Sequence, residues 1–105
     1  VFSADDPFTG VDLDKCRDPE TGKAEAWAQQ IIDDLDSYTE LSPSSEGFHV
    51  IVMGMLPAGS RRKGRIEMYD SGRYFTVTGN HVAGTPSFVQ PRQEALEKLH
   101  GRVLR

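Results

Sequence analysis

Val11-Asp12-Leu13-Asp14 decides how the rest of this chain is read. Side chains alternate across a strand, so Asp12 and Asp14 leave one face while Val11 and Leu13 leave the other. The apolar pair calls for a core. The acidic pair calls for something else, because carboxylates side by side on a β-surface repel and gain nothing from packing. A divalent cation between them removes that penalty, since Mg²⁺ and Mn²⁺ take hard oxygen ligands. A D-x-D on its own is more often a polar edge strand running into a turn.

Two later stretches change the weight of that doublet. Glu67 lies in Arg65-Ile66-Glu67-Met68-Tyr69, which alternates as a strand does and can add a third carboxylate to the same surface. His49 lies in Phe48-His49-Val50-Ile51-Val52, on the face opposite Phe48, Val50 and Val52. A histidine by itself is usually structural. Two aspartates, a glutamate and a histidine on separate strands form a constellation, which is more specific than any one of them.

The remaining chain frames these strands. Val1-Phe2-Ser3 reads as a short strand and Asp5 to Gly10 as the turn of a hairpin into the carboxylate strand. After a turn-rich loop from Arg17 to Gly22, a helix is expected from Ala24 to Asp36. There Ala24, Trp27, Ala28, Ile31, Ile32 and Leu35 recur at three- and four-residue steps, with Trp27 as a core anchor. Ser37 to Glu40 is short and extended, Leu41 to Gly47 a small-residue loop, and Gly54 to Lys63 a second loop carrying the basic triplet. Strands are expected over Gly64–Tyr69 and Arg73–Thr78, joined by the turn Asp70-Ser71-Gly72. A last helix runs from Pro91, suited to a first turn, to Arg102. Strands joined by hairpins with only two helices specify an α+β fold with a largely antiparallel sheet. A doubly wound parallel sheet needs more crossover helices.

At 105 residues the chain is one domain, residues 1–105. It opens on Val1 without a methionine and is expected to be a piece of something longer. A net charge of −4 excludes the global basic field of many nucleic-acid binders, so positive charge is local. The single cysteine, Cys16, excludes an internal disulfide and a cysteine-based zinc cluster, and fits a cytoplasmic protein. No apolar run reaches membrane-spanning length. His81 and His100 carry no constellation and read as surface residues.

As chemistry, Asp12, Asp14 and Glu67 are candidate ligands for one or two Mg²⁺ or Mn²⁺ ions that support phosphoryl or nucleotidyl transfer. His49 is then a donor to a triphosphate or a general acid. Ser44, Ser45 and Gly47 can offer hydroxyls and backbone N–H groups to phosphate oxygens. Arg73 and the run Arg61-Arg62-Lys63 can offset phosphate charge, the run as a nucleic-acid contact, although a basic triplet in a loop is usually only solvated. Two other readings use the same residues: a metal-dependent phosphoesterase or nuclease, and a non-catalytic nucleotide- or nucleic-acid-binding module.

The stretches Asp12-Leu13-Asp14 with Arg17-Asp18-Pro19, Ser37-Tyr38-Thr39-Glu40, Ser42-Pro43-Ser44-Ser45-Glu46-Gly47-Phe48-His49, and Ile66-Glu67 through Arg73-Tyr74-Phe75-Thr76-Val77-Thr78-Gly79 resemble a phage and plasmid primase-polymerase domain of the archaeo-eukaryotic primase superfamily. The resemblance runs from Val1 to Leu99. It implies an RNA-recognition-motif-like catalytic sheet flanked by a second module, and primer synthesis or extension from nucleoside triphosphates with Mg²⁺ or Mn²⁺. It further implies metal binding by Asp12, Asp14 and Glu67, and nucleotide contact by His49, with Arg73 nearby. The implied partners are nucleoside triphosphates, a single-stranded DNA template with its primer and a fused or associated helicase, in a bacterial, archaeal or phage-infected cytoplasm. In two places this chain departs from the family pattern. Ser45 and Glu46 stand where a glycine and often a basic residue are usual, and the sequence ahead of the carboxylate hairpin is missing.

Overall fold

The computed structural model describes residues 8–59, 61–70 and 78–103. Among them the strands are β1 (Phe8–Leu13), β2 (Tyr38–Leu41), β3 (Phe48–Met53), β4 (Arg62–Lys63), β5 (Ile66–Asp70) and β6 (Gln90–Pro91). The helices are α1 (Ala26–Leu35) and α2 (Gln93–Val103). The sheet order is β2-β3-β1-β5-β4, antiparallel throughout, with β6 pairing β3 in parallel at its far end. The α+β architecture with a largely antiparallel sheet is therefore the one expected. The opening strand, the turn from Asp5 to Pro7, the turn Ser71-Gly72 and the strand from Arg73 to Val77 fall outside the described residues.

Alternation divides the sheet cleanly. Val11 and Leu13 of β1, Phe48, Val50 and Val52 of β3, and Ile66 and Met68 of β5 project to one side and are buried. On that side they meet Ala28, Ile31, Ile32 and Leu35 of α1 and Leu96 and Leu99 of α2 in one core. The helices thus cover one face of the sheet and leave the face bearing Asp12 to a different use.

Helix α1 stops at Asp36, a left-handed C-cap (φ 44°) whose N–H returns to the Ile32 carbonyl at 3.0 Å. The Arg92 guanidinium, from the segment entering α2, donates through Nε to the Leu35 and Asp36 carbonyls at 3.1 and 3.0 Å. These bonds satisfy acceptors that every helix end leaves open, and they tie the two helices together.

Several expectations need correction. The carboxylate strand begins at Phe8, so Thr9 and Gly10 are strand residues, and it ends at Leu13, one residue before Asp14. The basic triplet is not a loop: Arg62 and Lys63 form β4, joined to β5 by the turn Gly64-Arg65 with Gly64 at φ 59°. Pro91 belongs to β6, and α2 starts two residues later. Trp27 is only partly buried, its ring lying 4.9 Å under the Arg65 guanidinium carbon as well as against the core. His100 is a core residue at 6 % exposure, on the same helix stripe as Leu96, Leu99 and Val103.

Candidate active site

Cross-strand pairing sets the site. Asp12 lies directly opposite His49 of β3 on one side and Glu67 of β5 on the other. His49 in turn lies opposite Glu40 of β2, and Glu67 opposite Arg62 of β4. Residues paired across antiparallel strands project to the same face. Five strands therefore contribute one residue each to a single polar row, Glu40–His49–Asp12–Glu67–Arg62. A second row runs beside it, Tyr38–Ile51–Gly10–Tyr69. Gly10 is required there because the Tyr69 ring crosses it: a Cβ would come within 2.7 Å of the ring edge.

His49 is held between two carboxylates. Its Nε2 is 3.5 Å from Asp12 Oδ1, and its Nδ1 is 3.6 Å from Glu40 Oε2. Burial raises the Asp12 pKa above the ordinary carboxylate value; His49 opposes this, and the charges of Asp14 and Glu67 push it further up. Asp14 itself is exposed, just past β1, its N–H bonded to the Arg65 carbonyl at 2.8 Å. The carboxylates thus stand close enough to repel. Among the described residues no three histidine, cysteine or carboxylate groups are already drawn together at metal-ligand spacing. The donor chemistry nonetheless fits a hard divalent cation: oxygen ligands of like charge, with Asp12 half desolvated.

The small-residue loop packs against the Asp14 end of β1. Gly47 is forced, since a Cβ would overlap the Leu13 carbonyl oxygen, a backbone atom that cannot swing away. Ser45 adopts φ 64°, a left-handed conformation that glycine takes more readily. The Ser45 N–H donates to the Ser42 carbonyl at 2.9 Å and the Glu46 N–H to Ser44 Oγ at 3.2 Å, so both are used within the loop. The Ser45 carbonyl accepts from Arg17 Nη1 at 2.7 Å.

The basic triplet divides. Arg62 shares the row with Glu67, and its charge reaches Asp12. Arg61 pairs with Asp70 at 3.2 Å, and Lys63 turns to the helix side beside Trp27 and Ile66. Arg73 lies outside the described residues. Burial pushes the Cys16 thiol up to about 11, which keeps it protonated and inert. Among the described residues, concavities of about 590 Å³ between Lys15, Asp18 and Glu25, about 580 Å³ beside α2 between Asp34, Arg92 and Lys98, and about 440 Å³ between Gln29, Phe48 and His81 lie elsewhere. None of the three contains a carboxylate of the row.

Residue-level reasoning missed Glu40. Tyr38-Thr39-Glu40-Leu41 alternates like the other strands, so the same period-2 argument puts Glu40 on the face of His49.

No protein-family model matches the chain. It is similar to a curated protein named DNA primase-polymerase, from Nitratiruptor phage NrS-1, at 41 % identity over 90 residues. The match takes in 80 % of this chain and 12 % of that relative's length.

Proposed function

We propose, taking this chain as the primase-polymerase domain that its 41 % identical relative indicates, that it is a template-directed nucleotidyltransferase that makes or extends primers from nucleoside triphosphates. One observation carries the reading: strand pairing sets Asp12 between His49 and Glu67 on the sheet face that the helices leave uncovered. The order β2-β3-β1-β5, with α1 between β1 and β2, supports the RNA-recognition-motif-like catalytic sheet of the archaeo-eukaryotic primases.

In this reading Asp12, Asp14 and Glu67 would hold Mg²⁺ or Mn²⁺. When bound, such ions stabilise the charge of in-line phosphoryl transfer and ease deprotonation of the attacking hydroxyl. The primer 3′ oxygen attacks the α-phosphorus of the triphosphate, and pyrophosphate leaves. His49 donates to a phosphate oxygen from the centre of the row. Arg62 neutralises backbone phosphate of the single-stranded template or primer, while Lys63 is turned to the helix side and takes no part. Ser44, Ser45 and Gly47 border the triphosphate at the Asp14 end, and Arg73 adds a further charge to it.

The test is extension of a labelled primer on a DNA template with deoxynucleoside triphosphates and Mn²⁺. The parent should extend the primer, and Asp12→Asn should lose at least about a hundredfold in rate, the scale of removing one transition-state charge stabiliser. Degradation of the labelled DNA without nucleotides would assign a nuclease instead. Extension that survives Asp12→Asn would place the chemistry elsewhere.

A further inference from the structure

We infer that Glu40 is a positioning residue that fixes the His49 imidazole for its contact with the triphosphate, an inference that rests on the polymerase reading above. Glu40 is fully buried, and a carboxylate is seldom buried without partners that explain it. Its Oε1 accepts from the Tyr38 hydroxyl at 2.9 Å and from the Gly79 N–H at 3.2 Å. Its Oε2 accepts from the Thr78 N–H at 2.7 Å and faces His49 Nδ1 at 3.6 Å. Three donors thus hold the carboxylate still and aim one oxygen at the imidazole. Tyr38 remains a donor, because burial and the bond to Glu40 both raise its pKa.

The imidazole shows the matching need. His49 is 7 % exposed, and its Nδ1 is a buried polar atom without a hydrogen-bond partner among the described residues. Glu40 Oε2 lies just beyond bonding distance from it. A buried N–H left unmade is costly, and an Nδ1 lone pair facing a carboxylate would be repelled. Both penalties vanish when Nδ1 keeps a proton and donates it in a hydrogen bond to Glu40. Active-site hydrogen bonds are often long in ligand-free structures and tighten with substrate. The bond a histidine makes through one nitrogen decides what the other presents. With Nδ1 engaged by Glu40, Nε2 is directed along the row toward Asp12, where the triphosphate and cation would meet, and it donates to the phosphate when it carries a proton as well.

Two measurements test this. Long-range proton–nitrogen correlation spectra of the nitrogen-15-labelled chain at neutral pH should show His49 Nδ1 bearing its proton. A bare Nδ1 overturns the inference, and this arm needs no substitution, so it decides even where a Glu40 variant does not fold. The second is calorimetric titration of dATP with Mn²⁺ against the parent, Glu40→Gln, His49→Ala and the double variant. Glu40→Gln should weaken binding by about tenfold in the parent, the scale for groups that orient a functional histidine. It should change affinity by roughly twofold or less once His49 is gone, because the effect passes through the imidazole. Equal losses in both backgrounds would make Glu40 a purely structural acid and overturn only this inference. A parent that binds no dATP with Mn²⁺ would overturn the polymerase reading together with it.

Discussion

Asp12→Asn should raise the melting temperature of the metal-free chain and abolish its response to Mn²⁺. Asp12 stands opposite Glu67 and His49, with a side chain 29 % exposed. Burial lifts its pKa above the ordinary carboxylate value, against the pull of His49, and Asp14 and Glu67 add to the rise. A carboxylate whose folded pKa is raised destabilises the fold once ionised. That penalty is absent below the unfolded pKa, grows as pH rises through the window to the folded pKa, and is complete above it. The amide keeps the shape and drops the charge. Like charges directly opposite on a sheet cost about 0.2–1 kcal/mol, so the gain at neutral pH is on the order of 0.5 kcal/mol. For a domain of this size that is about 2–4 °C. Mn²⁺ at a hundred times its Kd should stabilise the parent by about 2.7 kcal/mol, or roughly 10–20 °C. Scanning calorimetry of both proteins in EDTA and in Mn²⁺ measures all four values. A variant that melts below the parent in EDTA would make the Asp12–His49 contact structural, and one that keeps the Mn²⁺ shift would remove Asp12 from the metal site.

Other substitutions probe the surroundings of the row. Gly47→Ala should cost about 1–3 kcal/mol in urea unfolding, since its Cβ meets the Leu13 carbonyl; unchanged stability would mean that the loop is not seated on β1. Ser45→Gly should gain about 0.5–1 kcal/mol in the same assay. Relief of a left-handed serine, about 1–2 kcal/mol, outweighs the glycine's extra freedom when unfolded, about 0.5–1 kcal/mol, and a loss of stability would contradict this. Arg62→Ala should lower single-stranded DNA affinity and reduce the log–log salt slope by about 0.7, one phosphate contact on a single strand. Lys63→Ala, on the helix side, should leave the slope unchanged, and equal effects from both would refute the division of the triplet.

The central geometry was legible because strand period is strict. Alternation alone places Asp12 away from Val11 and Leu13, and His49 away from Phe48 and Val50. What could not be read was whatever lacks an apolar pattern. Arg62 and Lys63 form a strand of two charged residues, with nothing to distinguish it from a solvated loop. Gln90-Pro91 pairs in parallel beyond the end of β2, and a proline ahead of a helix normally reads as its first turn. There the Gln90 N–H donates to the buried Ser37 hydroxyl at 2.8 Å, a tertiary contact that no local pattern announces. His100 was legible in principle, since Leu96, Leu99, His100 and Val103 keep one helical stripe, but a histidine there is easily taken for the polar face. Asp14 shows the limit of alternation, because the chain leaves the strand at Leu13 and Lys15 turns left-handed at φ 51°.

The position of bound Mn²⁺ tests the carboxylate site most directly. Crystals grown with Mn²⁺ and a non-hydrolysable deoxynucleoside triphosphate, measured at the manganese absorption edge, would locate the ion by its anomalous signal. The peak should fall on the sheet face bearing Asp12 and Glu67, ligated by Asp12, with the triphosphate within reach of His49 Nε2. A peak on the helix side of the sheet, or one bound by triphosphate alone with Asp12 and Glu67 untouched, would contradict this placement.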